Sequence, residues 1–240
     1  MNTEAAAYGE ARAREGRLLA DELVRGLPLS GQSTPHAHEW AIRTNTMRRV
    51  LRLFARAGRP LRTLDVGCGN GWFAARLAQA GHQVTAIDTH RLELEQAQRV
   101  FAHLPVHWVE ASPLNLDPAA GPFDRILLAA SVQYFHELPG LITHLRSLLA
   151  PEGEVHVMDT VLYPDVHAAQ LASERSQRYY AQLGVPAMAA HYHHHTLAAL
   201  LDLGGSVVSR PGLRPVAGFP PWLHRDPFHH IVLPAASSRP

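Results

Sequence analysis

The chain is poor in the features that would send it to several large protein classes. It carries a single cysteine, Cys68, so neither an intrachain disulfide nor a cysteine-built zinc site is available. No apolar run approaches the ~18 residues expected of a membrane span. The first residues, MNTEAAAYGEARAREG, are polar and helix-prone and lack the apolar stretch of a secretory leader. Net charge is only +1, with both signs mixed along the chain, and no basic tract is present that would track a phosphate backbone. These absences lead us to expect a cytoplasmic protein with neither a nucleic acid nor a membrane as partner.

What remains is an ordinary globular composition, 46% hydrophobic and 18% charged over 240 residues, long enough for one well-buried core. Residues 1–60 read as a helical N-terminal cap. Apolar residues near helical spacing (Leu18, Leu19, Leu23, Val24) predict one helix that ends before Pro28. After a turn-rich break, Trp40, Met47, Val50, Leu51 and Phe54 predict a second helix that stops at Gly58.

From residue 61 the pattern changes. Strands are predicted over 61–67, 82–88, 106–111, 123–132 and 154–160, and helices over 71–81, 90–104 and 137–151. Two further helices (165–184 and 196–205) and two candidate strands within 206–211 and 228–234 complete residues 61–240 as one compact unit. Such alternation argues for an α/β fold: a doubly wound, mostly parallel sheet with helices on both faces.

The strongest chemical signal is Leu64-Asp65-Val66-Gly67-Cys68-Gly69-Asn70-Gly71-Trp72, where the first strand hands over to the first helix. Glycine suits such a turn because the backbone bends sharply and a ligand must approach it with no Cβ in the way. Roughly 20 residues on, the second strand ends at Asp88, a carboxylate placed to accept from ribose hydroxyls. A dinucleotide fingerprint needs a third glycine where Trp72 stands, so NAD and FAD are disfavoured. No Gly-Lys-Ser/Thr follows the glycines, which disfavours a phosphate-binding loop.

The pattern Asp65-x-Gly67-x-Gly69-x-Gly71 resembles the first motif of the class I S-adenosylmethionine-dependent methyltransferases, and the resemblance extends in order over about residues 60–160. Phe123-Asp124 before an apolar strand, and LLAPEGEVHVMD with Glu152 in place of a common glycine, resemble the family's later motifs. The resemblance implies a seven-stranded Rossmann-like methyltransferase fold with extra N-terminal helices, S-adenosylmethionine as cofactor and a small-molecule acceptor. It places the cofactor on Asp65, Gly67, Cys68, Gly69, Gly71, Asp88, Glu110, Ala111 and Ala130. Glu110-Ala111 stands where Asp-Ala commonly reads adenine. Cys68 reads as a small packing residue. Gln133 and Tyr134, after the fourth strand, become candidate substrate contacts, or else a polar loop and a packed aromatic.

Histidine is abundant, at 17 residues. In the run His191-Tyr192-His193-His194-His195 three readings compete: a metal site, a general base or wall of the acceptor pocket, and a structural stretch. Consecutive histidines diverge, so no metal is assigned. His191, His193 and His195 are the candidate catalytic residues, with His193 preferred on the expectation that Tyr192 and His194 point away from the pocket. A non-catalytic cofactor-binding module on the same fold is the alternative function.

Overall fold

The computed structural model describes residues 3–213 and 225–235. Helices α1 (Thr3–Arg14), α2 (Asp21–Gly26) and α3 (Ala37–Ala55) precede β1 (Arg62–Val66), α4 (Trp72–Gln79), β2 (Gln83–Asp88), α5 (Arg91–Val100) and β3 (Val106–Glu110). Then come β4 (Phe123–Ala129), α6 (Leu138–Ser147), β5 (Leu149–Met158), α7 (Val166–Gln182), α8 (Leu197–Asp202) and β6 (Ser206–Ser209). A two-residue ribbon pairs β7 (Gly212–Leu213) with β8 (Arg225–Asp226), and β9 (His230–Pro234) follows.

The main sheet has seven strands in the order β3-β2-β1-β4-β5-β9-β6. Pairing is parallel from β3 through β5, and β9 runs antiparallel to both β5 and β6. Strand order reverses between β1 and β4, which opens a crevice at their carboxyl ends.

Alternate strand residues feed two cores. Val84, Ala86 and Leu127 pack on one face with Leu77 and Phe101, while Leu64, Val66, Ile126 and Leu128 pack on the other with Leu141 and Leu145. The first core also takes in Val24, Leu27, Val50 and Phe54, so the N-terminal helices share the central core. No helix among the described residues is long and apolar enough to cross a membrane.

Several elements differ from the sequence expectation for local reasons. The first predicted helix is broken in two because Gly16 takes φ +65° and Arg17 N–H closes back on Arg12 O at 2.8 Å, a left-handed helix stop. Strand β4 ends at Ala129, since Ala130 adopts φ +57° and turns the chain away from the sheet. Strand β5 starts earlier than expected, at Leu149, because it pairs with Phe123 before the register shifts to Arg125–Glu154. A Cβ on Gly153 would lie 2.8 Å from Phe123 O, so this irregularity requires glycine.

Candidate cofactor and acceptor site

The glycine turn is fastened to the second strand. Gly67 and Cys68 N–H donate to Ile87 O at 2.9 and 3.0 Å, and Gly69 N–H donates to Asp88 Oδ2 at 2.7 Å. His90 N–H meets the other Asp88 oxygen at 2.7 Å, so one carboxylate braces both loops that border the crevice. Gly67 and Gly71 hold φ of +70° and +74°, where L side chains are strained. A Cβ at Gly67 would stand 2.6 Å from Ser131 Cβ, and one at Gly71 would stand 2.5 Å from the Trp108 ring.

Acidic groups crowd this turn. Burial, with Glu93 nearby, pushes the Asp88 carboxyl up to about 6 against the pull of its backbone donors. Burial, with Asp88 as neighbour, pushes Asp65 up to about 7. Asp65 is 2% exposed and its Oδ2 has no hydrogen-bond partner among the described residues, a costly condition that a ligand donor would relieve. Glu93, also buried, accepts from Tyr8 Oη at 3.0 Å and from Arg12 at 3.2 Å, which pins α1 across the crevice.

Two cavities meet above the turn and share Gly67, Ala130, Tyr8 and Tyr134 as their common wall. The Tyr8 and Tyr134 rings meet edge to face, 5.5 Å apart at 88°. The first cavity, about 460 Å³, is bordered by Asp88, Thr89, Ala111, Ser112 and Leu114. The second, about 440 Å³, is bordered by Asp65, Gly69, Arg43, Tyr192 and His194. Arg43 lies over the Trp40 ring at 4.8 Å, makes no hydrogen bond among the described residues, and approaches Glu39 only to 3.6 Å.

Most residues singled out from the sequence converge here. Asp88 and Ala111 reach the first cavity, Asp65, Cys68 and Gly69 the second, and Gly67, Ala130 and Tyr134 both. Gly71 borders neither and instead starts α4 against Trp108. Glu110 is exposed at the end of β3 and lies off both walls, where Ser112 and Leu114 stand instead. Cys68 is buried, and burial with Asp88 nearby drives its thiol well above the ordinary range, so it is a protonated packing group.

Gln133 borders the second cavity, but its amide is engaged, donating to Ala130 O at 2.6 Å and accepting from Thr160 at 2.7 Å.

The histidine run faces the opposite way from the expectation. Tyr192 and His194 border the second cavity, His191 borders the first, and His193 and His195 border neither. His193 N–H donates to Gln133 O at 2.7 Å and Tyr163 N–H to His195 O at 2.9 Å, and these bonds set a register one residue from the assumed one. The His193 ring packs on His136 at 5.0 Å, and burial with that neighbour lowers it to about 4. His195 Nε2 lies 3.0 Å from Phe135 O. Among the described residues no three His, Cys, Asp or Glu side chains converge as a metal site.

Sequence reading missed Tyr8, Arg12 and Glu93. Tyr8 and Arg12 lie 85 and 81 positions from Glu93, beyond the range of any local motif.

Comparison with known proteins agrees with this geometry. Residues 63–153 match the family model described as a methyltransferase domain, and the seven-stranded order agrees with the Rossmann-like methyltransferase fold expected from the sequence. An uncharacterized methyltransferase of Mycobacterium bovis is 34% identical over 98 residues, which is 41% of this chain and 50% of that one. The malonyl-[acyl-carrier protein] O-methyltransferase of Erwinia pyrifoliae is 39% identical over 104 residues, 42% of this chain and 38% of that one. The chain thus spans half or less of these curated relatives. Among solved structures, the magnesium protoporphyrin IX methyltransferase of Synechocystis with bound S-adenosylhomocysteine shares the fold at a TM-score of 0.60 and 16% identity. That alignment covers 97% of this chain and 95% of the other.

Proposed function

We propose that the whole chain transfers a methyl group from S-adenosylmethionine to a small-molecule acceptor. The observation that carries this is the pair of cavities joined at Gly67 and Ala130, with Asp88 on one side and, on the other, Asp65, whose Oδ2 has no partner among the described residues. A nucleoside joined to an amino acid fits that division.

Asp88 retains acceptor capacity on each oxygen beyond its backbone donors, enough for two ribose hydroxyls. Ala111, Ser112 and Leu114 form the wall for the base. Asp65 suits the amino group, and the Arg43 guanidinium, which makes no hydrogen bond among the described residues and pairs with Glu39 only at 3.6 Å, suits the carboxylate. When bound, the cofactor supplies a methyl already activated by positive sulfur. The protein then works mainly by orientation and by exclusion of water, to which α1 contributes through Tyr8 and Arg12. The acceptor belongs in the second cavity, beyond the Tyr8–Tyr134 wall.

Tritium-labelled S-adenosylmethionine tests the reading. Label should pass into an acceptor as S-adenosylhomocysteine accumulates. Binding of the cofactor with no transfer to any compound would make the chain a cofactor-binding module instead.

A further inference from the structure

Beyond the cofactor turn, the second cavity carries a side-chain chain that the methyl-transfer reading does not use. His194 Nδ1 lies 3.2 Å from Tyr163 Oη, and its Nε2 lies 3.0 Å from Ser176 Oγ. All three residues border the cavity. Tyr163 is held to the histidine segment by its bridge to Thr196 and by Leu197 N–H donating to its carbonyl at 2.8 Å, so the phenol is fixed against the imidazole. The adjoining wall is aromatic: Tyr192 meets Tyr134 at 5.8 Å and 87°, and Tyr180 lies 6.1 Å from Tyr192.

We propose that Ser176 and His194 form a proton relay that removes the hydroxyl proton of a neutral aromatic acceptor seated against the Tyr134–Tyr192 wall. This rests on the methyl-transfer reading and names the acceptor class for it. In this relay Nδ1 carries the imidazole proton and donates it to Tyr163 Oη, while Nε2 accepts from the Ser176 hydroxyl. The acceptor oxygen forms its bond to the methyl carbon, and the sulfur–carbon bond breaks with its electron pair going to sulfur. The hydroxyl proton passes to Ser176 Oγ as the serine's own proton passes to His194 Nε2. The resulting imidazolium returns its proton to solvent after release of the methyl ether.

The relay selects among acceptors on chemical grounds. A carboxylate is already ionised near neutrality, and a free amine attacks with its lone pair and sheds its proton afterwards, so neither requires a base. An aromatic hydroxyl, with a pKa of about 10, does. Burial, with the Arg175 guanidinium of α7 nearby, lowers His194 from its ordinary value, so the imidazole is neutral and able to accept at neutral pH. Tyr163 and Tyr192 face it as un-ionised phenols, because burial raises both.

The test uses the full chain, labelled S-adenosylmethionine, and a panel of mono- and dihydroxybenzenes, naphthols and hydroxyquinolines, with anilines and benzylamine as amine probes. We expect label on a hydroxyl probe and none on the amines. His194→Gln should lower kcat on un-ionised hydroxyl probes by about a hundred-fold or more, while nitrophenols already ionised at the assay pH are methylated at nearly the wild-type rate. Ser176→Ala should show the same selectivity. The acid limb of the wild-type rate should disappear in His194→Gln, with affinity for S-adenosylhomocysteine unchanged. Equal losses on ionised and un-ionised probes, transfer to amines alone, or no transfer to any hydroxyl probe despite cofactor binding would each overturn the relay. Failure to bind S-adenosylhomocysteine would instead overturn the methyl-transfer reading beneath it.

Discussion

Replacing Asp88 with alanine separates a ligand-binding carboxylate from a loop brace. Two backbone donors, Gly69 N–H and His90 N–H, lose their acceptor, and each buried donor left unpartnered costs about 1–3 kcal/mol. Against this, ionising a carboxyl held up to about 6 rather than at its ordinary 3.8 costs the empty protein roughly 3 kcal/mol at neutral pH, and that cost vanishes in the variant. The two effects oppose, so the melting temperature should change little. Cofactor affinity has no such offset. Loss of a charged acceptor to the ribose should weaken S-adenosylhomocysteine binding by about 1.5–3 kcal/mol, roughly ten- to a hundred-fold in Kd.

The pH dependence gives a second handle on the same carboxylate. Because the pKa in the folded protein is raised, the empty protein gains protons relative to the unfolded chain between 3.8 and about 6, and stability from this group falls as pH rises through that window. Ligand affinity should run the other way, rising to about pH 6 and then levelling, since the proposed ribose contact uses the ionised form. Calorimetric titration across pH 5–8 reads both effects. An unchanged Kd in Asp88→Ala would remove the residue from the ligand site and leave it a brace alone.

Two further outcomes are expected. In Gly71→Ala the new Cβ meets the Trp108 ring at 2.5 Å in a left-handed conformation, at a cost of roughly 2–4 kcal/mol. Thermal denaturation should then show a drop of about 4–16 °C, and an unaltered melting point would contradict the packing described for that turn. His156 and His230 are buried with Nδ1 and Nε2 2.9 Å apart, and burial lowers both, His230 to about 3. A histidine lowered in the folded state stabilises above its unfolded value of 6.5, and that contribution is lost as pH falls toward 3. The melting temperature should therefore decline below pH 6.5, and less steeply in His230→Gln; equal slopes would show that the pair does not govern acid stability.

The parts of the candidate site written in adjacent residues were legible in the sequence alone. Asp65 to Gly71 and Asp88 sit where strand periodicity meets glycine, and both strand ends face the crevice. Parts that depend on distant partners were not. Tyr8 and Arg12 reach the turn because the chain turns at Gly16, beyond the end of α1, and α1 lies across to Glu93. The histidine run has a face that flips with a one-residue change of register, and the bonds from His193 N–H to Gln133 O and from Tyr163 N–H to His195 O set it. Glu110 stands where the resembling family commonly has Asp, and the chain beyond β3 presents Ser112 and Leu114 to the cavity instead.

The central claim is that the turn from Asp65 to Gly71 holds S-adenosylmethionine across the two joined cavities. Calorimetric titration of the wild-type chain with S-adenosylhomocysteine, S-adenosylmethionine and NAD+ tests it most directly. The expected result is one site per chain for each of the first two ligands and no heat of binding for NAD+. Saturable binding of NAD+ with none of S-adenosylhomocysteine would contradict it.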